Sequence, residues 1–177
     1  MILEIGLLQG AIVKRRLADY VALTKPRVVV MVLITTLVGY HLGADGVLDP
    51  LRVLDTLIGT ALAAGGTLAL NQYLERDLDG LMARTRLRPL PGGRLKPVEA
   101  LAFGGGILLL GLGWLLLRVG TLPALVTATT AVTYLLVYTP LKPVTSLCSL
   151  VGAIPGALPP GMAPTSEQSD VTGLSGV

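Results

Sequence analysis

TLIGTALAAGGTLALNQYLERDLDG, residues Thr56–Gly80, joins two unlike halves. Thr56–Leu74 carries no charged side chain, while the end carries Glu75, Arg76, Asp77 and Asp79. A helix crosses a bilayer with about 20 mostly apolar residues. The first half therefore predicts a spanning helix, and the second sets acids at its mouth. At about 100° per residue, Asn71, Glu75 and Asp79 share an arc of roughly 80°, and Asp77 points away from Glu75 and Asp79.

The rest of the chain extends this pattern. Val28–Ala44, Ala100–Leu117 and Val119–Leu141 are also uncharged and long enough to span, with His41 the one histidine. Only 14% of the residues are charged, against about 25% in a soluble domain. Mean hydropathy is +0.72. Disorder is excluded, because it needs low hydrophobicity and high charge. The single cysteine, Cys148, excludes an internal disulfide framework and reads as a small apolar residue. A further uncharged stretch, Pro143–Ser166, holds five prolines. Its helix-competent part, about 145–157, is too short to span, because proline breaks a helix interior. The expected architecture is an all-α integral membrane bundle with four transmembrane helices and a broken fifth. Residues 1–18 read as an N-terminal interfacial or cytoplasmic segment, 19–160 as the membrane domain and 161–177 as a divergent polar tail. In the first segment Lys14, Arg15 and Arg16 follow the apolar run. A secretory signal has its positive charge before that run.

Orientation follows from the basic residues. Twelve of the 14 lysines and arginines precede the first span, lie between the second and third, or follow the fourth. Arg52 and Arg118 occupy the alternate side. Basic loops stay cytoplasmic, so the N-terminus and the loop after Asp79 are expected in the cytoplasm. The net charge of +3 reflects this topology. It makes no nucleic-acid footprint, since the basic residues are interleaved with spans.

Three oxygen-bearing side chains on one face suit a hard cation such as Mg2+, which keeps waters and is usually bound through one or two carboxylates plus substrate phosphates. The loop that follows runs RTRLRPLPGGRLK, Arg84–Lys96. Arginine forks match phosphate oxygens. Acids beside an arginine–proline loop thus make a device that holds a metal-bound diphosphate. Solvated acids at a helix end and a bare positive-inside signal are the plainer alternatives. His41 is read as structural. Gly104–Gly106, Gly111 and Gly113 are read as close helix packing. Tyr73, Tyr134 and Tyr138 are read as an aromatic belt or as a cavity wall able to shield a cation.

NQYLERDLDGLMARTRLRPLP, Asn71–Pro91, resembles the first aspartate-rich motif of the UbiA superfamily of intramembrane prenyltransferases. Glu75 at the fifth motif position resembles the protohaem IX farnesyltransferase branch. DYVALTKPRVVVMVLITTLVGY (Asp19–Tyr40), YTPLK (Tyr138–Lys142) and SLVGAIPGALPP (Ser149–Pro160) agree with it. The resemblance implies a helical bundle around a cavity open to the cytoplasm and to lipid. It implies Mg2+-dependent transfer of farnesyl from farnesyl diphosphate to a vinyl group of haem b. Asn71, Glu75 and Asp79 would be metal and diphosphate ligands, and Arg84 and Arg88 would orient phosphate. Lys25, Arg27 and Lys142 would bind substrate at the cavity mouth, and Tyr138 along the cavity wall. The implied location is the cell's inner (plasma) membrane. The resemblance also implies a longer chain with a second acidic motif. The residues after Pro160 do not resemble that continuation, so a truncated or frameshifted chain, inactive alone, is expected. Prenylation of an aromatic quinone precursor and a non-catalytic membrane fragment are the competing functions.

Overall fold

A computed structural model describes residues 2–43, 49–83 and 85–139. Those residues form helices and turns: α1 (Ile2–Leu23), α2 (Pro26–Gly43), α3 (Pro50–Leu81), α4 (Pro97–Arg118) and α5 (Thr121–Val132). A π-helical turn, Thr133–Tyr138, continues α5. Proline opens α2, α3 and α4, where its missing N–H costs nothing and its fixed φ suits the first turn. Asp49 caps α3 by accepting from the Leu51 N–H at 3.0 Å.

Four helices are long and apolar enough to cross a membrane: Pro26–Gly43, Pro50–Leu81, Pro97–Arg118 and Thr121–Tyr138. These are the four expected spans. The expected broken fifth lies outside the described residues, as does the 161–177 tail. Residue 18 falls inside α1, which runs unbroken to Leu23.

The central element is α3. Its 32 residues extend about 48 Å at 1.5 Å each, against a hydrocarbon core of about 30 Å. The excess carries the acidic motif beyond the apolar section. α4 packs antiparallel along α3 through small residues. A Cβ on Gly66 would lie 2.5 Å from the Leu108 nitrogen and 2.6 Å from the Gly104 carbonyl. One on Gly111 would strike the backbone of Ala63 and Gly59. Such close backbone approach replaces the hydrophobic drive that lipid removes. Only Gly104 and Gly111 of the α4 glycines serve it; Gly105, Gly106 and Gly113 face open space. Hydroxyls are satisfied locally. Thr36, Thr56, Thr67 and Thr127 each donate to the carbonyl four residues back, as a polar group in hydrocarbon requires.

At the motif end, Leu23, Ala69, Leu90, Leu95 and Ala100 form a buried cluster, with Tyr20, Tyr73 and Phe103 packed against it. At the opposite end, Arg118 pairs with Asp55 at 3.4 Å and Arg52 with Asp49 at 3.8 Å.

Candidate metal and diphosphate site

α3 stays helical through Leu81, so the periodicity holds across the motif. Asn71, Glu75 and Asp79 are 1%, 7% and 6% exposed, all on the face turned into the protein. The Asp77 side chain is 84% exposed, and its carboxylate lies 3.5 Å from Arg76. Arg76 itself covers the Tyr73 ring at 4.5 Å.

The Asn71, Glu75 and Asp79 side chains on this face all have partners, while the neighbouring buried Gln72 Oε1 has none among the described residues. Asn71 Nδ2 donates to Glu75 Oε2 at 3.2 Å. Arg88 Nη1 donates to Asp79 Oδ2 at 2.5 Å. The Thr85 hydroxyl donates to the Asp79 carbonyl at 2.7 Å and thereby tightens the last turn of α3. The following loop is folded tightly. The Arg88 carbonyl accepts the Gly92 N–H, and the Pro89 carbonyl accepts those of Arg94 and Leu95. Gly93 takes φ +67°, which favours glycine. Leu90 and Leu95 plug the loop into the apolar cluster. Arg94 Nε donates to Asp19 Oδ1 of α1 at 2.9 Å. The backbone of Arg88 is therefore fixed by its surroundings, and its side chain is aimed at Asp79.

The other expected residues reach the same end to different degrees. Lys25 is half-buried in the α1–α2 turn, with φ +48°. That turn is pinned to α3, because Gln72 Nε2 donates to the carbonyls of Ala22 and Leu23. Arg27 is exposed on the first turn of α2. Tyr138 is half-buried and stacks on Tyr134, with ring centroids 5.1 Å apart. Tyr134 and Tyr138 belong to the π-helical turn, which packs against α3. Arg84 and Lys142 lie outside the described residues.

Three contributors were not anticipated. Asp19 holds the loop, Gln72 holds the α1–α2 turn, and the Thr139 hydroxyl lies 2.8 Å from Asn71 Oδ1. Asp19 and Thr139 each lie within a quoted motif, but no local spacing identifies partners 75 and 68 residues away.

The donors are chemically suited to a divalent cation. They are two carboxylates and an amide oxygen, all hard. Among the described residues no three His, Cys, Asp or Glu side chains converge as a metal cage. A pair of carboxylates suits Mg2+, which completes its shell with water and substrate phosphate. Asn71 Oδ1 accepts from Thr139 and retains one lone pair.

A family model described as the UbiA prenyltransferase family matches residues 32–175. The chain belongs to the UbiA prenyltransferase family. Among curated relatives, a protoheme IX farnesyltransferase of Solibacter usitatus is 46% identical over 151 residues, covering 80% of this chain and 52% of the relative. One from Aquifex aeolicus is 42% identical over 160 residues, covering 89% and 55%. One from Myxococcus xanthus is 44% identical over 160 residues, covering 89% and 54%. The chain thus spans about half the length of the curated relatives it matches. A solved structure from a study of digeranylgeranylglyceryl phosphate synthase in membranes superposes with a TM-score of 0.69. It is 20% identical, covers 85% of this chain and 55% of its own, and supports the fold. With four apolar helices, this UbiA chain is a multi-pass membrane protein.

Proposed function

We propose that this chain carries the first metal and diphosphate half-site of a protohaem IX farnesyltransferase, which transfers farnesyl from farnesyl diphosphate to a vinyl group of haem b. The observation that carries it is the buried Asn71–Glu75–Asp79 face with Arg88 seated on Asp79. Similarity to protoheme IX farnesyltransferases at 42–46% identity supports the choice of reaction. Glu75 and Asp79, with Asn71 Oδ1, would hold Mg2+, which supplies Lewis-acid neutralisation of the diphosphate. Arg88 neutralises Asp79 and offers its remaining N–H groups to phosphate oxygens. Arg84 would orient phosphate with Arg88, and Lys25, Arg27 and Lys142 would add positive charge at the cavity mouth. The stacked faces of Tyr134 and Tyr138 line the wall beside Glu75 and stabilise developing positive charge on the allylic carbon. Residues 19–160 form the prenyltransferase part in this reading, with 1–18 at the interface and 161–177 as a polar tail. The N-terminus and the Arg88 loop face the cytoplasm, in the inner (plasma) membrane.

The test is a fusion. This chain replaces the matching half of the Aquifex aeolicus relative, and membranes are assayed for haem b conversion by mass spectrometry. Farnesylated haem is expected. Prenylation of an aromatic quinone precursor in its place would overturn the acceptor assignment.

A further inference from the structure

We infer that Thr139 is a positioning residue, setting the orientation of the Asn71 amide and, through it, of the Glu75 carboxylate. The inference rests on the metal–diphosphate reading above.

A carboxylate only accepts hydrogen bonds. Asn71 must therefore turn its NH2 toward Glu75, where Nδ2 stands 3.2 Å from Oε2. That choice commits Oδ1 to the other side, where the group must find a donor or remain unpaired in a 1% exposed position. The Thr139 hydroxyl is that donor, at 2.8 Å. An amide with a donor at one end and an acceptor at the other has one orientation. Without the hydroxyl, Oδ1 would be unpaired in a buried position and the Glu75 carboxylate alone would hold the amide's orientation.

The backbone explains how Thr139 reaches this point. Thr133–Tyr138 is π-helical, and the Thr139 N–H donates to the Tyr134 carbonyl, five residues back. One extra residue in a turn rotates everything after it by about 100° relative to an uninterrupted α-helix. The turn thus sets which face of the helix Thr139 presents to α3. The same hydroxyl lies 2.8 Å from the Tyr134 carbonyl, and it has a single proton to give. Asn71 and Tyr134 compete for that proton, so Thr139 links the tyrosine pair to the acidic face.

The test uses the full 177-residue chain in lipid nanodiscs. Binding of the unreactive analogue farnesyl thiolodiphosphate is measured with and without Mg2+. Thr139→Val, which keeps the side-chain shape, should weaken the Mg2+-dependent component about tenfold, the scale of one lost hydrogen bond in a buried site, and leave the Mg2+-independent component unchanged. Thr139→Ser should restore it. In an Asn71→Ala background, Thr139→Val should have no further effect, because Thr139 acts through Asn71. Wild-type Mg2+-dependent binding in Thr139→Val would overturn the inference, provided Glu75→Gln still loses that binding. Equal loss in Thr139→Val and Thr139→Ser, or full additivity with Asn71→Ala, would also overturn it, in favour of a purely structural role. Retention of Mg2+-dependent binding in Glu75→Gln would overturn the site reading itself, and the inference with it.

Discussion

Asp77 and Asp79 are two residues apart and have opposite surroundings. Asp79 is buried beneath Arg88, and Asp77 is in solvent beside Arg76. An acid's contribution to a site follows its direction on the helix, and the sequence periodicity alone separates the two. In an active fusion enzyme, Glu75→Gln and Asp79→Asn should each lower kcat/KM by about a hundredfold or more, since each removes a charged ligand, while Asp77→Asn should stay within a few-fold of wild type. Steady-state farnesyl transfer to haem b checks this. Arg88 carries a prediction of opposite signs. Arg88→Gln leaves Asp79 without its cation, so Mn2+ alone should bind the 177-residue chain more tightly. Farnesyl diphosphate with Mg2+ should bind more weakly, because a phosphate fork is lost. Electron paramagnetic resonance of Mn2+ and ligand binding measure the two arms.

Helix by helix, the sequence announced the four spans through their uncharged runs, while the prolines that open α2, α3 and α4 lie outside those runs. The run Thr56–Leu74 understated α3, which reaches from Pro50 to Leu81, because charged residues continue a helix once it leaves the hydrocarbon. α1 was legible only as an interfacial segment, since its basic triplet interrupts the apolar pattern without breaking the helix. Glycine spacing in α4 indicated packing but not which glycines pack, because that depends on the register against Ala63 and Gly66 of α3. Gly66→Ala should destabilise the bundle by about 1–3 kcal/mol, the usual cost of overpacking, since the obstructing atoms are backbone. Gly106→Ala, with nothing within 4 Å, should stay within about 0.5 kcal/mol. Denaturant unfolding in mixed micelles, followed by Trp114 fluorescence, compares them.

Across the whole molecule, α3 connects two differently charged ends. At one end, the basic loop residues pair with the buried acids Asp79 and Asp19. At the other, Arg52 and Arg118 pair with Asp49 and Asp55. Those pairs reduce the charge imbalance on the side where the positive-inside rule disfavours basic residues. With Cys148 replaced by serine, a cysteine at Arg86 should react with membrane-impermeant thiol reagents only from the cytoplasm, and one at Asp49 only from outside. The reverse pattern would invert the proposed orientation. The contacts that assemble the site from separate elements, Asp19–Arg94 and Asn71–Thr139, were not legible in the sequence. They arise when α1, the loop and the π-helical turn converge on α3, and no periodicity within one element encodes such a meeting.

The proposed role of the inward face of α3 is to bind a metal-bound diphosphate. The most direct measurement is farnesyl diphosphate binding to the 177-residue chain in nanodiscs, with and without Mg2+, for wild type, Glu75→Gln, Asp79→Asn and Asp77→Asn. Mg2+-dependent binding is expected in wild type and Asp77→Asn, and its loss in Glu75→Gln and Asp79→Asn. Binding indifferent to Mg2+, or lost in Asp77→Asn while Glu75→Gln retains it, would contradict that role.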